Sequence, residues 1–315
     1  MSQTTYKGLS AIVVENEHLK LTFLPQYGCK MASLFKKDTA REFLFQSSLD
    51  TLTVPPYGAS FSAYDSSGFD EVFPSIDACS YPIGKYAGIH IPDHGEVWAL
   101  PWHCSLHEDG LGITAWTQSP LLPYKLVRKL DLDKNEIRMH YTVENLADEP
   151  LEFIWTPHCL LSCSPKTELV IPKELTEIMT VEHSTQTLGP WGTRHAYPIT
   201  KSVTGKTINM AQTQPASVKN CEKFYFTSPN KSGWCGIKHT DNADTLMYHY
   251  DSDKVPYLAV WKTQGGYRGD YNIALEPCTG EWDDLYVAHK IRRAALCAPH
   301  GKYEWNFIMS VGQEK

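Results

Sequence analysis

The feature that most limits what this chain can fold into is its alternation. Apolar and polar residues trade places through 18–24, 126–132, 137–143, 151–155, 224–227, 234–239, 245–250, 257–262 and 303–309, and turn residues bound these runs. A period of two buries one face of a strand, whereas a helix needs a period near 3.6. The 17 tyrosines and 9 tryptophans suit broad sheet faces. Only 283–295 reads as a helix, and a short one. Many strands with few short helices predict an all-β fold, either stacked antiparallel sheets or a barrel. The runs 137–145 and 151–155 read as a hairpin across 146–150. No repeat of fixed period is present.

The 315 residues contain no Gly/Ser run, no Pro-rich tract and no block of charge. The stretch most like a break, 212–219, reads as a loop. Residues 1–315 are therefore expected to form one domain, since all-β folds of this size do so routinely. The net charge is −7, with Lys and Arg outnumbered and dispersed. That argues against nucleic acid as a partner, and mildly against a phosphorylated ligand, for which two placed cations would still suffice. The first residues hold no apolar segment of the secretory type, and no apolar run approaches spanning length, so no membrane association is expected. The nine cysteines are scattered and odd in number, unlike a disulfide framework or zinc site. They read as buried thiols in a reducing cytoplasm. A monomer or homodimer is expected.

Three segments place ionisable groups where strands end. In Ile273-Ala274-Leu275-Glu276-Pro277-Cys278-Thr279-Gly280 an alternating run closes on a carboxylate, which puts Glu276 at the rim of a sheet. Pro92-Asp93-His94-Gly95-Glu96 sets a histidine beside a glycine that permits close approach. Thr156-Pro157-His158-Cys159-Leu160 embeds a histidine in apolar sequence. Singly, each histidine has an ordinary structural role. Together, His94, His158 and Glu276 are the minimum for paired acid–base work, in which one group takes a proton at one oxygen and another gives one elsewhere. A two-His-one-carboxylate metal triad is the competing reading. No two of the three share a local ligand spacing, so no metal and no cofactor are expected.

The segments 68–74, 92–98, 156–160, 274–280 and 298–305 resemble, in order, motifs of the aldose 1-epimerase (galactose mutarotase-like) superfamily. The resemblance spans roughly 8–313. It implies a large antiparallel β-sandwich, a supersandwich, with a sugar site on one sheet. It also implies an isomerase that interconverts α and β anomers of a small-molecule sugar by opening and reclosing the ring. Glu276 would be the base at the anomeric hydroxyl, His158 the acid at the ring oxygen, and His94 a hydrogen-bonding partner there. Asp70, Glu71, Trp98, Trp155, Trp261 and Arg268 are candidates to line the sugar site, with Lys262 beside the 263–267 loop. Two departures stand out. The family's sugar-binding arginine has no counterpart between Tyr57 and Asp93, and Glu222 or Lys223 stands where an aspartate grips hydroxyls. The alternatives are a non-catalytic carbohydrate-binding sandwich and a sugar-phosphate epimerase of the same fold. A glycosidase would need a second carboxylate with a claim equal to that of Glu276.

Overall fold

The computed structural model describes residues 4–181 and 187–313. The alternating runs form two large antiparallel sheets, one of twelve strands and one of eight. The fold is an all-β sandwich, one of the two arrangements the patterning allows and the one the resemblance implies. The helix expected in 283–295 spans Leu285–Lys290, and the Asp284 carboxylate caps it by accepting from the amides of Tyr286 and Val287. The 212–219 stretch is a loop holding the 3₁₀ turn Ala216–Val218.

The inner faces of the two sheets meet in an aromatic core. Tyr141 stacks on Trp305 with ring centroids 5.0 Å apart, and Trp155, just ahead of the strand Thr156–Ser162, reaches Trp305 at the same distance. Set among these rings is a buried ion pair. Arg128, on the eight-stranded sheet, donates to Glu71 of the twelve-stranded sheet at 2.7 Å. Glu71 also accepts from the Tyr141 hydroxyl and the Trp155 indole N–H, each at 2.8 Å. A desolvated pair of this kind, its Glu71 oxygens filled by three donors, fixes how the two sheets register more than it adds stability.

The expected hairpin does not form. The strand Glu136–Asn145 is flanked on one edge by Tyr124–Asp133 and on the other by Lys302–Gln313. With both edges filled, Leu151–Phe153 pairs instead with Ala295–Cys297. Asn145 turns the chain away, its side-chain amide donating to the carbonyls of Glu149, Cys297 and Ala298.

All nine cysteines are free thiols, five buried and four partly buried. Among the described residues no helix is long and apolar enough to cross a membrane.

The middle of the twelve-stranded sheet positions the site. Its strands run in the order Phe69–Val72, Thr156–Ser162, Tyr271–Cys278, Tyr257–Gln264, Asn220–Phe226. Residues paired across an antiparallel ladder point to the same face, and neighbours along a strand to opposite faces.

Candidate active site

Pairing alone assembles a polar surface on the outer face of the large sheet. One row crosses the sheet from Asp70, paired with His158, to Glu276, paired with Ala259. The next row carries Lys223, Trp261, Ala274 and Leu160. A third holds Thr263 and Asn272. Loops cover this surface to leave a cavity of about 230 Å³, lined by His158, Glu276, Lys223, Trp261, Thr263 and Asn272 from the sheet and by Phe61, Asp77, His94, Tyr267 and Asp283 from the loops.

Glu276 is not at a strand rim. Its strand continues through Pro277 and Cys278, and the side chain is almost wholly buried. The proline does not end the strand because of where it stands. The ladder to the His158 strand runs from Ser162↔Asn272 to Leu160↔Ala274. Counting on in the same register sets Pro157 opposite Pro277, and the Thr279 amide rejoins the register by donating to the Trp155 carbonyl at 3.0 Å. Neither proline has an N–H to give. The seam is therefore unlaced beside His158 and Glu276, and the Thr156 hydroxyl takes up the Pro277 carbonyl.

His94 comes from the loop between Ile91 and Val97. Its amide donates to the Ile76 carbonyl, and its backbone is left-handed, φ 59°. Gly95 follows at φ 72°, and a Cβ there would fall 2.1 Å from the Phe73 carbonyl oxygen, so only glycine fits. The His94 ring stacks on Phe61 at 3.9 Å between centroids and 7° between planes. Its Nδ1 lies 2.8 Å from Asp93 Oδ1, while Asp93 Oδ2 accepts from the Phe61 amide. Ring and loop are thus held from two sides. The His94 and His158 rings meet edge to face at 5.0 Å.

The electrostatics separate these groups. Burial raises the Glu276 carboxyl above its ordinary range, and Lys223 opposes that rise from 3.0 Å. Lys223 also sits 3.0 Å from Asp283. Burial disfavours the Lys223 ammonium, but the two carboxylates outweigh it and hold it charged. Burial drives the His158 imidazole well below its usual value, helped by the positive charges of His94 and Lys223. Its Nδ1 has no hydrogen-bond partner among the described residues. Burial works against the Asp93 carboxylate, yet the His94 hydrogen bond and charge keep it below the ordinary range.

The structure brings together His94, His158, Glu276, Lys223 and Trp261 of the expected residues. Others lie elsewhere. Glu71 points into the core because it follows Asp70 in a strand, and period two sends neighbours to opposite faces. Asp70 is on the outer face but wholly buried beneath the cavity, 3.1 Å from Lys30. Burial there lifts its carboxyl to about 7 against the pull of that lysine. Trp98 packs edge-on against Phe61, under the loop, with its indole N–H on the Asp93 carbonyl. Trp155 is core. Lys262 faces away and donates to the Met210 and Gln212 carbonyls. Arg268 lines a neighbouring cavity and donates to the Ser62 carbonyl. Sequence reasoning missed Phe61, Asp77, Asp93, Tyr267, Asn272 and Asp283. Of these, Asn272 had a signal, since it lies two register steps from Glu276 on the same face.

Among the described residues no cluster of three or more His, Cys, Asp or Glu is arranged to hold a metal ion, and the cation beside Glu276 is the Lys223 ammonium.

Fold and site together define a polar cavity on the outer face of the larger sheet of a β-sandwich, and that sandwich is the galactose mutarotase-like fold. The chain is similar to the Slr1438 protein of Synechocystis sp. PCC 6803, with a TM-score of 0.73 at 16% identity over 100% of both chains. It is similar to a galactose mutarotase related enzyme from Lactobacillus acidophilus, with a TM-score of 0.66 at 14% identity over 96% of this chain and 97% of that one. A galactose mutarotase-like protein from Lactobacillus casei gives 0.66 at 16% identity over 96% and 100%. No family model matches the sequence, and no curated protein matches it.

Proposed function

We propose that this chain is an isomerase of the aldose 1-epimerase type, exchanging the α and β anomers of an aldose. The observation that carries the reading is the convergence of one carboxylate and two imidazoles at one end of the cavity, where the ladder between the His158 and Glu276 strands is interrupted by Pro157 and Pro277. Glu276 takes the proton of the anomeric hydroxyl as the C1–O5 bond breaks. The His158 imidazolium gives its proton to O5, leaving a free aldehyde. Rotation about C1–C2 presents the other carbonyl face, and the reverse transfers close the ring and restore both groups. A histidine whose charged form is disfavoured is a strong acid when charged, which suits a weakly basic ring oxygen. His94, held by Asp93 and Phe61, hydrogen-bonds near O5. Lys223 keeps Glu276 ionised and oriented. The carboxylates of Asp77, Asp93, Asp270 and Asp283 around the cavity disfavour a phosphorylated substrate, the sugar-phosphate alternative.

Freshly dissolved α-anomers of several aldoses, followed by NMR of the anomeric protons, test this. The protein should speed equilibration, and Glu276→Gln or His158→Ala should each lower the rate by about 10²–10⁴-fold. If no aldose equilibrates faster than in buffer, or Glu276→Gln keeps full rate, the reading fails.

A further inference from the structure

Two of the nine free thiols meet where the two sheets join. The Cys29 and Cys104 sulfurs are 3.5 Å apart, although 75 residues separate them in the chain. Cys29 sits in the hairpin turn between Leu19–Leu24 and Lys30–Lys36 of the larger sheet. Cys104 lies on His103–Leu106, an edge strand of the smaller one. Backbone bonds frame the contact: the Gly28 amide donates to the Leu100 carbonyl at 3.0 Å, and the Trp102 amide to the Pro25 carbonyl at 2.8 Å. The turn has little slack. A Cβ at Gly28 would fall 2.5 Å from the Trp98 carbonyl oxygen, and Cys29 holds a left-handed φ of 48°. That conformation favours glycine or asparagine, so a cysteine there is not what the turn itself asks for.

The two sulfurs differ in their surroundings. Cys29 is wholly buried, and Arg128 reaches its Sγ at 3.1 Å and its carbonyl oxygen at 2.9 Å. The hydrogen bond from Cys104 and the guanidinium charge hold the Cys29 thiol below its ordinary value against burial. The same hydrogen bond, with burial, pushes the Cys104 thiol up, so the pair's proton rests on Cys104. At Cys159, Cys163, Cys235 and Cys278 burial dominates and raises the thiol instead. Cys104 is only partly buried and lines an open cavity of about 420 Å³ with Pro25, Gln26 and Leu106. A small oxidant thus has a path to one sulfur, with a thiolate waiting behind it.

We infer that Cys29 and Cys104 form a redox site that a small hydroperoxide oxidises to a disulfide, stapling the hairpin turn to the edge strand of the facing sheet. The Cys104 sulfur attacks a peroxide oxygen as its proton passes to the Cys29 sulfur. The O–O bond breaks, giving a sulfenic acid on Cys104 and hydroxide. The Cys29 sulfur then displaces the sulfenic oxygen, which leaves as water with the Cys29 proton. The two sulfurs lose two electrons and the peroxide gains them. A thiol reductant reopens the bond by exchange. None of this depends on the isomerase reading.

The test uses the full reduced chain and hydrogen peroxide. Thiols titrated after denaturation should number two fewer than the nine of the reduced chain, and peptide mass mapping should find Cys29 joined to Cys104. Dithiothreitol should restore all nine. The bond closes a long loop, so the oxidised chain should gain about 1 M in urea midpoint and lose that gain with dithiothreitol. With a cyclic 1,3-diketone present, Cys29→Ser should carry the sulfenic adduct on Cys104. In Cys104→Ser the buried Cys29 should label at least about tenfold more slowly. If peroxide leaves the count at nine, joins other cysteines, or oxidises Cys104 without a linkage, the site is refuted. A linkage with no gain in midpoint refutes the staple, and faster labelling of Cys29 refutes the order of attack.

Discussion

Replacing Lys223 with methionine removes the ammonium that lies between two carboxylates that are themselves mostly buried. Its Nζ lies 3.0 Å from both Glu276 Oε2 and Asp283 Oδ1. At an effective dielectric near 20, each contact is worth about 5 kcal/mol of attraction. Much of this offsets the cost of burying the ions, and breaking such a pair typically costs about 3–5 kcal/mol. The loss should depend on pH. The folded-state pKa of Glu276 already lies above its unfolded value of 4.5, and without Lys223 it rises further. A group raised in this way contributes stability below its unfolded pKa and loses that contribution as pH rises through the folded one. Chemical unfolding followed by tryptophan fluorescence should therefore give a Lys223→Met deficit of about 3–5 kcal/mol at pH 8 that shrinks toward pH 5. Adding Glu276→Gln should return part of it, making the double variant more stable than Lys223→Met alone. In the wild-type context the acidic limb of the rate profile marks ionisation of the base, and Lys223→Met should move that limb to higher pH. A deficit equal at pH 5 and pH 8, with Glu276→Gln adding a further loss, would refute the electrostatic account of this trio.

His158 makes the opposite pH prediction. Its folded pKa is well below its unfolded value of 6.5, so the unfolded chain binds the proton first and stability should fall as pH drops below 6.5; His158→Gln should flatten that part of an unfolding profile measured between pH 7 and pH 5. Phe61→Ala removes the ring stacked on His94, a contact of about 0.5–1.5 kcal/mol, and should lower kcat/KM for an aldose about three- to tenfold while leaving Glu276 titration in the rate profile in place. Gly95→Ala would set a Cβ against the Phe73 carbonyl at positive φ, and should lower unfolding free energy by more than about 1 kcal/mol, measurable as a reduced urea midpoint.

The all-β class was legible because period-two patterning is a local property that survives packing, and Trp234–His239 begins and ends where its alternation does. Pairing was less legible. The 137–145 and 151–155 runs look like a hairpin, and only the occupancy of both edges of Glu136–Asn145, set by strands far away in sequence, rules it out. The site divides the same way. His94, His158 and Glu276, which the fold brings to one cavity, stand out in the sequence because unusual neighbours mark them. Asp70 and Glu71 were taken together although alternation allows at most one of them the outer face, a constraint the sequence did contain. Asp93, Phe61 and Asp283 carry no local sign of function. Asp283 matters only because folding brings it to Lys223, 60 residues away in the chain, and Phe61 only because its ring lands on His94.

The paired prolines at 157 and 277 have a consequence for how the strands of the proposed acid and base are joined. Two amide hydrogens that a ladder would use are missing beside His158 and Glu276, and the Thr156 hydroxyl and the Thr279 amide hold the stretch instead. The gap in the ladder is thus written as an omission in the backbone rather than as a choice of polar side chain. Restoring a donor at either position would offer the seam a new bond without touching a single polar group in the cavity.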